Sequence, residues 1–61
     1  MTQPRFSVGA PVIDRDGFTG TVTNVTHHDG AHWYDVRIMQ GTRIVGEAVR
    51  YDSDLSPNPR H

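Results

Sequence analysis

The 61-residue chain carries six basic and seven acidic side chains, for a formal net charge of −1, and it has no cysteine. A single domain of this size buries only about 60 % of the surface that its unfolded chain exposes, so its stability is marginal. The lack of cysteine excludes disulfides and thiolate metal sites. The near-neutral charge argues against a strongly electrostatic nucleic-acid binder, which usually carries a basic face.

Apolar runs in the sequence are only a few residues long, too short to span a membrane as a helix. The first nine residues lack the basic-then-apolar pattern of a signal peptide, so we expect a cytoplasmic protein. We expect a disordered lead over residues 1–5, one domain over 6–55 and a flexible tail over 56–61. Pro57 and Pro59 in that tail block both a helix and a central strand.

The first half of the domain predicts two strands, because β-branched residues come in short runs between turn residues. The first run, 8–14, contains Pro11, which favours an edge strand or a kinked one. An Asp-Gly pair at 16–17 predicts a turn, and residues 20–26 form the second run. The valines of the second run break strict alternation, so we expect a bulge near Asn24.

The clearest strand signal covers residues 32–39, where apolar and polar side chains alternate after a polar loop over 27–31. Alternation places Tyr34, Val36 and Ile38 toward the core. The opposite face carries Trp33, Asp35, Arg37 and Met39.

The remaining segments continue this pattern. After a tight turn at 40–41, residues 42–49 predict a fourth strand, in which Gly46 marks a bulge or a close approach of two backbones. Residues 51–55 predict one 3₁₀ turn, with Leu55 plugging the end of the barrel.

Four to five short antiparallel strands with tight turns predict an all-β fold, in which the sheet closes into a small barrel. Closure removes the exposed strand edges that would otherwise template aggregation. The expected core consists of Phe6, Val8, Val12, Val22, Val25, Tyr34, Val36, Ile38, Ile44, Ala48 and Leu55.

Three segments together resemble the SH3-like small barrels of the KOW and Tudor type. They are Phe6-Ser7-Val8-Gly9-Ala10-Pro11-Val12, Gly17-Phe18-Thr19-Gly20-Thr21-Val22 and Tyr34-Asp35-Val36-Arg37. The closing Asp54-Leu55-Ser56-Pro57 is similar to the last short turn and strand of those barrels. The resemblance rests on glycines and valines that set backbone geometry and packing, so it implies a fold and hardly anything about function.

Two narrower resemblances have different implications. Similarity to short bacterial SH3-like proteins of unknown function implies the fold alone. Type II dihydrofolate reductases are tetramers of similar small barrels, and a resemblance to them implies an enzyme that forms only on oligomerisation. The nearest stretch here, 43–47, lacks the Val-Gln-Ile-Tyr segment that lines their shared pore, so no catalytic residue carries over.

Three histidines, His27, His28 and His32, lie in or beside the expected loop together with Asp29. Imidazole and carboxylate groups are ligands for zinc, nickel and copper. A spacing of four residues, as between His28 and His32, converges on one metal only in a helix. The sequence therefore favours a solvated loop with no cofactor, and a metal bound by these histidines is the alternative.

Trp33 and Arg37 lie four residues apart on the third strand and therefore share its outward face. Tryptophan beside arginine is a common pairing at protein interfaces, and it can also stack a base while the arginine contacts phosphate. Alternatively, Trp33 covers one open end of the barrel or packs on the tail. Arg43, beyond the tight turn, is expected to widen a basic strip that Asp35 and Glu47 interrupt.

The expected functions fall into three classes. A barrel this small has no interior pocket, and the chain has no cysteine and no local Ser-His-Asp pattern, so we do not expect a monomeric enzyme. The first expectation is a non-enzymatic module that binds a protein partner, or its own copy, through Trp33, Arg37 and Arg43. The second is a weak nucleic-acid-binding domain of the KOW or Tudor sort. The third is a subunit of an oligomeric enzyme.

Overall fold

The computed structural model describes residues 4–59 and is all-β, as predicted. Residues 1–3 of the expected lead and 60–61 of the expected tail lie outside the described residues. The chain forms β1 (Pro11–Asp14), β2 (Thr19–His28), β3 (Ala31–Gln40), β4 (Arg43–Tyr51), the 3₁₀ turn η1 (Asp52–Asp54) and β5 (Leu55–Pro57). Over residues 4–59 there is no helix of the length and hydropathy needed to cross a membrane.

One antiparallel sheet contains all five strands, in the order β4-β3-β2-β1-β5. Of the two alternatives predicted from Pro11, the edge strand is wrong, because β1 lies between β2 and β5. Pro11 is tolerated there as the first residue of its strand, and its carbonyl accepts a hydrogen bond from the Asn58 N–H at 3.1 Å. Within residues 4–59 no ladder joins β4 to β5, so both strands are edges of the hydrogen-bonded sheet.

The core lies on one face of this sheet. Val12, Val22, Tyr34, Val36 and Leu55 are each at most 2 % exposed, and Phe6 packs edge-on against Tyr34. Since no helix covers that face within residues 4–59, the sheet must curl over its own side chains to bury them to this degree. Two further predicted members, Val25 and Ile38, pack against the cluster while half-buried.

Two predicted core residues are exposed. Val8 is 66 % exposed because it lies in a turn before β1, where the N–H of Ala10 donates to the Ser7 carbonyl. Ile44 is 55 % exposed because it pairs with Met39 on the side of the sheet that faces away from the core. Ala48, also predicted to be in the core, is half-buried.

The β2–β3 hairpin turns on only two residues, Asp29 and Gly30, which have φ angles of 51° and 78°. Positive φ at both central positions is the signature of a type I′ turn, for which Asp-Gly is a favoured sequence. The predicted loop over 27–31 is therefore wrong. His27 and His28 belong to β2, and His32 belongs to β3.

Two bulges shape the long strands. Val22 pairs with Val36 while Asn24 pairs with Asp35, so Thr23 is an extra residue, which confirms the bulge predicted near Asn24. The second bulge places an extra residue, Val45, in β4.

The bulge in β4 lies next to Gly46 in sequence. Ile38 pairs with Gly46 while Met39 pairs with Ile44. A methyl group at Gly46 would meet nothing within 4 Å, so no second backbone crowds the position of a Cβ at this glycine. The close approach is instead at Gly20, where a Cβ would lie 2.6 Å from the Arg37 carbonyl oxygen.

A buried carboxylate connects strands that share no ladder. Asp14 Oδ1 accepts hydrogen bonds from the N–H groups of Asp16 and Phe18 at 2.9 and 3.1 Å, which fixes the β1–β2 turn. Its buried Oδ2 accepts no hydrogen bond from residues 4–59, but it lies 3.5 Å from Nε of Arg50 in β4. Arg50 pairs with Tyr34 and so lies on the core side. The ion pair therefore joins β4 to β1 across that side.

Asp52 in η1 connects the N-terminal segment to the core. The Tyr34 hydroxyl donates to Asp52 Oδ2 at 2.8 Å, and Arg5 donates to Oδ1 at 3.0 Å. Arg5 also donates to the carbonyl oxygen of Leu55 at 3.0 Å. One carboxylate thus holds the segment before β1, the centre of β3 and the turn before β5 together.

Candidate functional site: the outer face of strands β3 and β4

The side of the β3–β4 hairpin that faces away from the core, here called the outer face, carries most of the residues predicted to bind a partner. Antiparallel pairing arranges its side chains in four rows across the two strands. The rows are Trp33 with Tyr51, Asp35 with Val49, Arg37 with Glu47, and Met39 with Ile44.

The first row is an aromatic stack. The rings of Trp33 and Tyr51 lie 3.8 Å apart between centroids at an angle of 23°. Tyr51 is 43 % exposed and Trp33 is half-buried, so the stack presents aromatic surface to solvent while each ring orders the other. Sequence analysis placed Trp33 on this face but did not identify Tyr51 as its partner.

Trp33 and Arg37 share the outer face without touching. Four residues along a strand span about 13 Å, and Asp35 lies between them. The prediction that the two residues share a face is confirmed, and both are placed to contact one extended ligand.

Arg43 does not lie on the outer face. It pairs with Gln40, so the two side chains point to the same side of the sheet. Gln40 is three residues from Arg37 on β3, and side chains alternate along a strand, so that side is opposite to the one that carries Arg37. The expected strip of Arg37 and Arg43 is therefore wrong. Whether either arginine binds a partner stays a prediction.

Two carboxylates on the outer face have no partner among residues 4–59. Asp35 and Glu47 occupy neighbouring rows, and they line a shallow hollow of about 350 Å³ with Ala48 and Val49. Neither carboxylate accepts a hydrogen bond or forms an ion pair with any other residue in the described range 4–59, and Arg37, opposite Glu47, forms no ion pair either. The outer face thus offers negative charge beside aromatic and aliphatic surface.

β4 itself is an exposed edge. Seven of its nine residues are exposed, including Ile44 at 55 %, Val45 at 50 % and Val49 at 57 %. An edge strand presents backbone N–H and C=O groups that can pair with another strand. Apolar side chains and backbone groups are therefore available side by side along one strand.

Among the described residues, His27, His28 and His32 do not assemble into a metal site. His27 and His32 stack with centroids 4.8 Å apart, and His28 instead contacts Asp29, with Nε2 to Oδ2 at 3.1 Å. Cross-strand pairing sets His28 opposite Ala31, on the other side of the sheet from the stacked pair. Over residues 4–59 no three histidine or acidic side chains are placed to hold one metal ion.

A second cleft lies at the other end of the sheet. It encloses about 540 Å³ and is lined mainly by apolar residues beside Arg5 and Asn58. The apolar lining comes from Phe6, Ala10, Pro11, Pro57 and Pro59. Arg5 is already held by Asp52 and by the Leu55 carbonyl, so it is not a free charge for a ligand.

Comparison with known proteins adds no relative. No protein-family model, no curated protein and no solved structure matches the chain.

Proposed function

We propose that this domain is a non-enzymatic interaction module of the SH3-like barrel type, which binds a protein partner through the outer face. The antiparallel strand order and the 3₁₀ turn immediately before the last strand support the SH3-like assignment. The observation that carries the function is the solvent-accessible Trp33–Tyr51 stack beside Val49 on an exposed edge strand.

Aromatic surface of this kind suits protein binding because tryptophan and tyrosine supply large contact area and lose little conformational entropy. In the free protein the two rings already hold each other in place, so a partner would meet an ordered surface. Val49 in the neighbouring row and Ile44 farther along β4 extend the apolar area.

Nucleic acid is the less favoured partner for this face. The stack has the geometry to accept a base, but the carboxylates of Asp35 and Glu47 lie in the next two rows and would repel phosphates. We therefore expect no nucleic-acid complex at this face, and the experiments include a test for one.

The test is a selection of random seven-residue peptides displayed on phage against the immobilised domain. Peptides selected on the wild-type domain should lose binding to a Val49→Glu variant, because the new carboxylate lies next to the aromatic stack. A Val8→Glu variant is the matched control, since Val8 is similarly exposed and lies outside the outer face. Peptides that bind both variants and the wild type equally would overturn the proposed site.

A further inference from the structure

We infer that the partner is an extended segment of another protein that adds to the free edge of β4 as an antiparallel strand, with a basic side chain opposite Glu47. This inference rests on the proposed function, because it names the occupant of the same surface. It goes further by specifying backbone pairing, chain direction and charge.

The part of β4 that fits a new strand is the stretch 47–51. Its residues pair one for one with positions 37–33 of β3, without a bulge. The bulge at Val45 ends this regular edge on one side, and η1 ends it on the other. Five regular residues provide a short ladder, and their outward side chains are Glu47, Val49 and Tyr51.

A second copy of the chain does not complement this edge. In an antiparallel pair, residues that lie directly opposite each other point to the same side of the sheet. Two β4 strands related by a twofold axis must therefore pair residues that are an even number of positions apart. This places the axis at a residue and not between two residues. An axis at Glu47 sets two glutamates opposite each other, and one at Ala48 sets Glu47 opposite Val49. An axis at Val49 sets Glu47 opposite Tyr51. No register gives the carboxylate a cation.

The arginines of β4 cannot repair this mismatch. Arg43 and Arg50 pair with Gln40 and Tyr34, so both lie on the core side of the strand, away from Glu47. Arg50 also forms an ion pair with Asp14. A partner of different sequence is therefore the better match for this edge.

The charge and the apolar surface of β4 indicate which side chains the partner segment should carry. A basic side chain opposite Glu47 would meet a carboxylate that forms no ion pair within residues 4–59, with Asp35 in the adjoining row of β3. An aliphatic side chain opposite Val49 would cover an exposed valine. In an antiparallel strand the aliphatic residue precedes the basic one by two positions, because both must point outward.

The test uses a seven-residue threonine-based peptide with valine at position three and arginine at position five, titrated into ¹⁵N-labelled protein at low salt. A second peptide carries glutamate in place of arginine. The arginine peptide should bind roughly fivefold more tightly, given the modest strength of exposed charge pairs. A Glu47→Lys variant should reverse that preference, whereas Asp16→Lys, an equal charge change at an exposed turn, should leave it unchanged.

Hydrogen exchange distinguishes strand addition from binding to side chains alone. Bound peptide should slow the exchange of alternate β4 amides between positions 47 and 51, namely those that point away from β3. No binding of either peptide, equal binding of both, or unchanged exchange would each overturn the inference. Peptides from the phage selection that require Val49 but ignore Glu47 would leave the proposed function in place.

Discussion

Trp33 stacks on Tyr51 because β4 contains one extra residue. The tight turn pairs Gln40 with Arg43, and an uninterrupted hairpin from that pair would set Trp33 opposite Arg50. The bulge at Val45 shifts the register by one, which sets Tyr51 beside Trp33 and turns Arg50 to the core side, where it meets Asp14. Because Val45 is left out of the ladder, both the aromatic stack and the buried ion pair can form.

Deleting Val45 should remove the bulge without changing the register beyond it. Gly46 would then follow Ile44, and the pairs from Ile38–Gly46 to Trp33–Tyr51 would stay in place. We therefore expect the near-ultraviolet circular dichroism of the Trp33–Tyr51 stack to be retained. A Val45→Thr variant, which keeps the length, is the control. Loss of the aromatic signal after the deletion alone would show that the register slips by one residue, which would contradict the assignment of Val45 as the extra residue.

The stack itself should contribute measurable coupling. Trp33→Ala should leave the domain folded, because Trp33 is outside the buried core, and should lower the free energy of unfolding by about 1–2 kcal/mol. In a double-mutant cycle with Tyr51→Ala, we expect a coupling energy of about 0.5–1.5 kcal/mol. Additive effects of the two substitutions would show that the rings do not stack in solution.

Sequence reasoning found the strands because each one is bounded by residues with a specific backbone role. Asp29-Gly30 and Gln40-Gly41 identified two hairpin ends, and alternation in β3 correctly assigned Tyr34 and Trp33 to opposite faces. These signals are local, so they can be recognised in the sequence without knowing which strand pairs with which.

The candidate site was harder to predict because it depends on register between strands. Gly46 predicted either a bulge or a close approach of two backbones, and only a bulge shifts the register, so the partnership of Trp33 with Tyr51 could not be read from the sequence. The same uncertainty led to Ile44 being placed in the core with Ala48. Arg43 was placed beside Arg37 for a different reason, since its face follows from the Gln40–Arg43 pair alone.

Gly20 should tolerate substitution far less well than Gly46. A Cβ at Gly20 would lie 2.6 Å from both the Arg37 carbonyl oxygen and a methyl carbon of Val36, so Gly20→Ala must push β2 away from β3. We expect a loss of about 1–3 kcal/mol in the free energy of unfolding by urea. Gly46→Ala is the control, since a Cβ there meets nothing within 4 Å. Equal effects of the two substitutions would refute the close approach at Gly20.

The Tyr34–Asp52 hydrogen bond should limit stability at alkaline pH. Burial, and next the hydrogen bond to the Asp52 carboxylate, raise the pKa of Tyr34 above its ordinary value of 10.0. The folded state therefore holds this proton more tightly than the unfolded state, so the stabilisation is complete below pH 10 and declines as pH rises toward the folded-state pKa.

A Tyr34→Phe variant isolates that contribution. Below pH 10 it should lose about 1 kcal/mol, the usual net value of a hydrogen bond, and its stability should fall less steeply above pH 10 than that of the wild type. Urea unfolding from pH 7 to 11 measures both effects. Parallel alkaline declines in the two proteins would show that Tyr34 does not control the loss.

The central claim, that the outer face binds a protein segment, is tested most directly by amide-resolved NMR. The labelled domain is titrated at low salt with a peptide selected on phage and, separately, with mixed single- and double-stranded oligonucleotides. We predict peptide-induced shifts concentrated at Trp33, Val49 and Tyr51, with no response to oligonucleotides. Oligonucleotide shifts at Trp33 and Arg37 that vanish in high salt would contradict the claim and identify a nucleic-acid-binding domain.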